Sequence, residues 1–73
     1  MDNMNLEAAI EGILFAAGES VSIERLCEVT SRSKAAMRQT LEKMQKKYES
    51  DSTRGIKLVR FEDKYQLCTK SEY

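Results

Sequence analysis

Between Ser33 and Tyr48 the chain carries four apolar residues spaced to one side of a helix: Met37, Leu41, Met44 and Tyr48. At about 100° per residue, steps of four, three and four hold them within roughly 60° of one face. Ser33 stands where a helix N-cap belongs, its hydroxyl ready to accept from an orphan backbone N–H of the first turn. A helix of this kind owes its stability mainly to packing of its apolar stripe. The rest of a 73-residue chain must therefore supply the surface that covers it.

Two shorter helical patterns precede this segment. Asn5 is the expected cap of a first helix from Leu6 to Ala17, with residues 1–5 read as an irregular, disordered start. Its apolar stripe is Leu6, Ala9, Ile10, Ile13, Leu14 and Ala17, a broad face suited to a core. Gly18 ends it as a C′ glycine, and Glu19 to Val21 read as a short extended stretch. Ser22 caps a second helix, Ile23 to Val29, and Val21 and Leu26 occupy the positions of a hydrophobic staple. Thr30, Ser31 and Arg32 turn the chain into the third helix. After a polar loop, Glu49 to Gly55, two alternating runs, Ile56–Phe61 and Tyr65–Thr69, flank Glu62-Asp63-Lys64 as a hairpin turn. Val59 and Phe61 fall on the opposite face from Ile56 and Leu58. Either a bulge shifts the register or the hairpin is apolar on both faces. Three helices followed by a two-stranded hairpin is the order of a winged helix-turn-helix, mostly α with a small wing, and the third helix is then the DNA-reading position of that fold.

One residue does not fit the first helix. Phe15 lies about 180° from Leu6 on a helical wheel, beside Ala8 and Glu11. A large aromatic there needs a cover. The wing or the N-terminal arm is one candidate; a second protein is the other, since aromatics are enriched in interface cores.

Composition narrows the function classes. The chain has no His, no glycine-rich phosphate loop and no metal-ligand spacing, and its carboxylates fall on helix surfaces or in loops. Nothing in it supports catalysis, and no cofactor is implied. Cys27 and Cys68 are too few for a disulfide framework and read as small apolar residues of a reducing cytoplasm. No apolar run is long enough to span a membrane, so no membrane partner is expected. Basic and acidic residues balance, twelve to twelve, but residues 1–31 carry −5 and residues 32–73 carry +5. That polarity can orient a partner or a second copy.

The outward side of the third helix carries Ala35, Arg38, Gln39, Glu42 and Lys46. In a DNA-binding arrangement Arg38 and Gln39 reach base edges, while Lys34, Lys43, Lys46, Lys47 and the wing residues Arg60 and Lys64 meet phosphates. Glu42 counts against this, since it sits mid-face and forms an i,i+4 ladder with Arg38 and Lys46. The basic residues also scatter around the helix. The face reads first as a solvated surface, second as a weak DNA contact through Lys34, Arg38, Gln39, Lys46, Arg60 and Lys64, and last as a sequence reader.

Three stretches together resemble one family: Glu7-Ala8-Ala9-Ile10-Glu11-Gly12-Ile13-Leu14-Phe15-Ala16-Ala17-Gly18-Glu19, Gly55-Ile56-Lys57-Leu58-Val59, and Tyr65-Gln66-Leu67-Cys68-Thr69-Lys70. The combination resembles the N-terminal domain of bacterial segregation and condensation protein B, ScpB, over Leu6 to Tyr73. Ser20 stands where the family often has Pro, and the hairpin turn is more charged than the family's Gly-rich form. The resemblance implies a single N-terminal winged-helix domain, residues 1–73, of a longer two-domain protein. It implies a non-enzymatic subunit that works with the kleisin ScpA and the SMC ATPase in chromosome condensation and segregation. The family's N-terminal domains homodimerise, and ScpA and SMC are engaged mainly through the second domain. A cytoplasmic, nucleoid-associated location follows. The expected dimer interface combines Ala8, Glu11 and Phe15 with the wing residues Val59 and Phe61. The competing expectation is a DNA-binding winged-helix transcriptional regulator.

Overall fold

The computed structural model describes residues 3–70. Helix α1 runs Asn3–Ala17, strand β1 Val21–Ser22, helix α2 Ile23–Thr30, helix α3 Lys34–Ser50, strand β2 Ile56–Phe61 and strand β3 Lys64–Thr69. This is the expected winged-helix order. The chain adds one strand to the wing, and the antiparallel sheet has the order β1-β3-β2.

Local signals set most of the boundaries. Ser33 caps α3, its hydroxyl accepting from the Ala36 N–H at 3.2 Å, and Ser22 caps α2 by accepting from the Arg25 N–H at 3.1 Å. Gly18 closes α1 with φ +66°, its N–H donating to the Leu14 carbonyl. That left-handed conformation is the one glycine adopts without steric cost. The start of α1 corrects the sequence reading. Met1 and Asp2 lie outside the described residues, but Asn3 to Asn5 are helical, so Asn5 is not the cap. Asparagine inside a helix costs only about 0.7 kcal/mol or less, and no proline or glycine interrupts the first turn.

The wing also departs in detail. Pairing runs without interruption from Ile56↔Thr69 to Phe61↔Lys64. There is no bulge, and the hairpin is apolar on both faces. The turn is Glu62-Asp63 alone, because Lys64 already pairs, and Glu62 takes φ +58°. Two-residue hairpin turns demand positive φ, so the backbone imposes it here on a non-glycine residue. On the other edge of β3, Val21 and Ser22 pair with Tyr65 and Lys64. The Ile23 N–H donates to the Asp63 carbonyl at 2.8 Å, tying the start of α2 to the wing turn.

The core lies where the three helices meet the inner face of the sheet. Leu6, Ile10 and Leu14 come from α1, Ile23 and Leu26 from α2, and Met37, Leu41, Met44 and Tyr48 from α3. Leu58 and Tyr65 close it from the wing. All four residues of the α3 stripe are buried. Ala17, expected in the α1 stripe, is exposed because the helix ends there, past the edge of the core.

Candidate self-association surface

Helix α1 presents two apolar sides. Leu6, Ile10 and Leu14 face the core, while Ala8, Gly12, Phe15 and Ala16 face outward and are exposed. Phe15 is 83% exposed, so the wing does not cover it. Beside it runs an open groove of about 470 Å³. One wall is the outer side of α1, with Ala8, Glu11, Gly12 and Phe15; the other is Ile56 of β2 and Leu67 of β3. Both strand residues are half-buried against the core.

Arg54 stands at the end of this groove and is held from several sides. Its Nε donates to Asp51 Oδ2 at 3.1 Å, its guanidinium lies 4.0 Å from Glu11 Oε2, and its Cζ sits 5.5 Å from the centre of the Tyr48 ring. The Tyr48 hydroxyl donates to the same Glu11 carboxylate. Burial, then that bond and the negative charge of Glu11, pushes the Tyr48 hydroxyl up to about 12. Asp51 moves the other way: the Thr53 hydroxyl and N–H, and then Arg54, hold its carboxyl below the usual value. Lys47 reaches back to Glu7 at 3.0 Å.

Lys70 fixes the loop that carries Arg54. It is buried, its Nζ donates to the Asp51 carbonyl at 2.9 Å, and its backbone N–H donates to the Gly55 carbonyl. A cation on the last carbonyls of a helix complements the α3 dipole. It also ties the end of β3 to the end of α3, on either side of the loop that carries Arg54.

The residues expected at a dimer interface separate into two groups. Ala8, Glu11 and Phe15 gather in the groove. Val59 and Phe61 point away from the core on the outer face of the hairpin, together with Lys57, Lys64, Gln66 and Cys68. Phe61 is 71% exposed. Sequence reading missed Gly12, Arg54, Ile56 and Leu67. Ile56 and Leu67 alternate like any core-facing strand residues, and Arg54 sits in a polar loop, so neither carried a signal. The mid-helix glycine was visible but had no neighbours to give it meaning.

The candidate DNA residues do not form one surface. Lys34, Arg38, Gln39 and Lys46 are exposed along α3, with Glu42 exposed among them. Arg60 pairs across from Tyr65, and Lys64 from Phe61, so these two cations lie on opposite faces of the wing. The Arg60 Nε donates to the Glu62 carbonyl at 2.8 Å, bracing the turn. Glu24 and Glu28 are exposed on neighbouring α2. Among the described residues, no three His, Cys, Asp or Glu side chains are grouped to hold a metal ion. No described helix is long and apolar enough to cross a membrane.

Comparison with known proteins agrees with this architecture. The family described as segregation and condensation complex subunit ScpB matches residues 8–73. The chain is 42% identical over 73 residues to segregation and condensation protein B of Acetivibrio thermocellus, covering 100% of this chain and 37% of that protein. It is 38% identical over 72 residues to the protein of the same name from Lachnoclostridium phytofermentans, covering 99% and 38%. The chain thus spans a little over a third of the length of these relatives. A crystal structure of a dimer of the ScpB N-terminal domain complexed with an ScpA peptide superposes with a TM-score of 0.87 at 30% identity, covering 94% of this chain and 85% of that one. With a family match over nearly the whole sequence and the same fold in a solved ScpB N-terminal domain, the chain belongs to the ScpB family of segregation and condensation complex subunits.

Proposed function

We propose that this chain is a non-enzymatic structural unit of an SMC–ScpA–ScpB-type condensin complex, acting in chromosome condensation and segregation in the cytoplasm at the nucleoid. Its role is to pair two copies of the subunit. The observation that carries the reading is Phe15, 83% exposed on α1 beside the exposed small residues Ala8, Gly12 and Ala16, with the half-exposed Glu11 as the charged residue between them. A large aromatic left exposed among small residues marks a surface that a partner covers. Ala8, Glu11 and Phe15, with Ile56 and Leu67, form the pairing surface. The solved relative, an ScpB N-terminal dimer holding an ScpA peptide, supports both self-association and an ScpA-type partner for this domain. Val59 and Phe61, on the other side of the wing, are left for a contact outside the pair. DNA contact is weak or indirect, because the face at the DNA-reading position mixes charges of both signs.

Sedimentation equilibrium across micromolar concentrations tests this. The wild-type mass should approach twice 8.4 kDa. Phe15→Glu should return it to one chain without loss of helical signal, and Phe61→Glu should leave it doubled. A wild-type chain that stays monomeric throughout sinks the proposal.

A further inference from the structure

Glycine is the least favourable residue after proline in a helix interior, yet Gly12 sits in the middle of α1. The chain's own packing does not ask for it. Gly12 has no left-handed backbone, and a Cβ built on it meets no heavy atom within 4 Å. The space above it opens into the groove between α1 and the sheet. Whatever makes a side chain unwelcome there lies outside the single copy.

We infer that Gly12 is the point where the α1 helices of two copies cross at closest approach, so that each Phe15 enters the partner's groove against Ile56 and Leu67. This rests on the self-association proposed above and adds the geometry of the contact. A two-fold pair brings the same patch onto itself. Helices pack about 8–10 Å apart, with the spacing set by the side chains at the crossing, and facing glycines allow the short end of that range. Phe15 lies one turn along and to one side of Gly12. A crossing at Gly12 therefore directs each ring sideways over the neighbouring helix rather than onto its twin. Among the described residues, the charged ones lining the groove are Glu11 and Arg54, of opposite sign, and they approach each other to 4.0 Å within one copy. Their charges are balanced within each copy, so a second copy laid on the groove brings no uncompensated charge into the contact.

The test separates a residue needed for pairing from one needed for folding. Gly12→Gln supplies a good helix former that is polar enough not to create a new sticky surface, and Gly12→Ala supplies a single methyl. The dissociation constant should rise at least tenfold for Gly12→Gln and less for Gly12→Ala. In the monomeric Phe15→Glu background, both should raise the urea midpoint, because helix propensity alone is then in play. Opposite signs for pairing and folding are the signature. If wild type pairs and Gly12→Gln pairs as tightly, the crossing is elsewhere, and self-association stands without it. If wild type does not pair, both readings fall. If both Gly12 variants lower the midpoint in the monomeric background, the glycine serves the fold, and the inference is wrong.

Discussion

Helices α1 and α3 are built alike on one side and unlike on the other. Each lays a stripe of buried residues into the same core: Leu6, Ile10 and Leu14 on α1, and Met37, Leu41, Met44 and Tyr48 on α3. Turned outward, α3 shows Lys34, Arg38, Glu42, Lys43 and Lys46, while α1 shows Ala8, Gly12, Phe15 and Ala16. A charged outer face is stable in water and needs no partner; an apolar one is a standing demand for one. In a winged helix the third helix occupies the DNA-reading position. Here that helix is the solvated one, with an acid in mid-face, and the supporting helix carries the exposed aromatic. On the reading proposed above, the same fold serves a protein contact in place of a nucleic-acid groove, and architecture alone does not assign a function.

The largest effects should come from the shared side. Leu41 is fully buried at the centre of the α3 stripe, and Leu41→Ala should cost about 2–5 kcal/mol. A domain of this length has roughly 4–11 kcal/mol in total, at about 0.05–0.15 per residue. Urea unfolding should therefore show a greatly lowered midpoint, and a shift under half a kilocalorie would mean that the core is not where the helices meet. No exposed substitution on either outer face should approach this.

Next in size is the link between the two helices. Tyr48→Phe removes the hydrogen bond from α3 to Glu11 on α1 and should cost about 1.5 kcal/mol near neutral pH, as for a bond to a charged acceptor. The loss should also depend on pH. With its hydroxyl raised from 10.0 to about 12, folded Tyr48 keeps a proton that the unfolded chain gives up above about pH 10. Unfolding then releases a proton, so this contribution is complete below about pH 10 and fades as the pH climbs toward 12. The gap between wild type and Tyr48→Phe, measured in urea near pH 8 and near pH 11, should narrow at the higher pH. A constant gap would remove Tyr48 from the link.

Signals carried within a few residues of sequence were legible. The Ser33 and Ser22 caps, Gly18 and the 4-3-4 stripe each state a local requirement of a helix, and each is met. Signals that depend on distant partners were not. β1 is two residues long and exists because Tyr65 and Lys64 offer it an edge, which no window around Val21 reveals. Asn5 has the chemistry of a cap, but the helix ran through it. Phe15 was conspicuous on a wheel because its misfit is local, whereas Ile56, Leu67 and Arg54 became neighbours of its groove only when the fold set them there. Ser33 gives the cap signal a measurable size. Ser33→Ala should cost about 1 kcal/mol, read as a lowered urea midpoint, with the self-association constant unchanged once folding is accounted for.

The smallest expected effect is the sharpest challenge to the contrast between the helices. Arg38→Ala combined with Lys46→Ala removes two exposed cations from the outer face of α3. If that face is only solvated, stability should move by no more than about 0.5 kcal/mol, and the sedimenting mass should not change. Duplex DNA gives the discriminating readout. A protein that neutralises phosphates loses affinity steeply with salt, with a slope near −0.9 per contact. Wild-type binding that is weak at low salt and no weaker in the double variant leaves α3 a solvated helix. A steep salt dependence that flattens by about two contacts in the variant would make α3 a nucleic-acid surface after all. The molecule would then carry two working faces, with α1 holding the second copy and α3 holding DNA, and the mixed charges around Glu42 would serve to keep that grip weak and reversible.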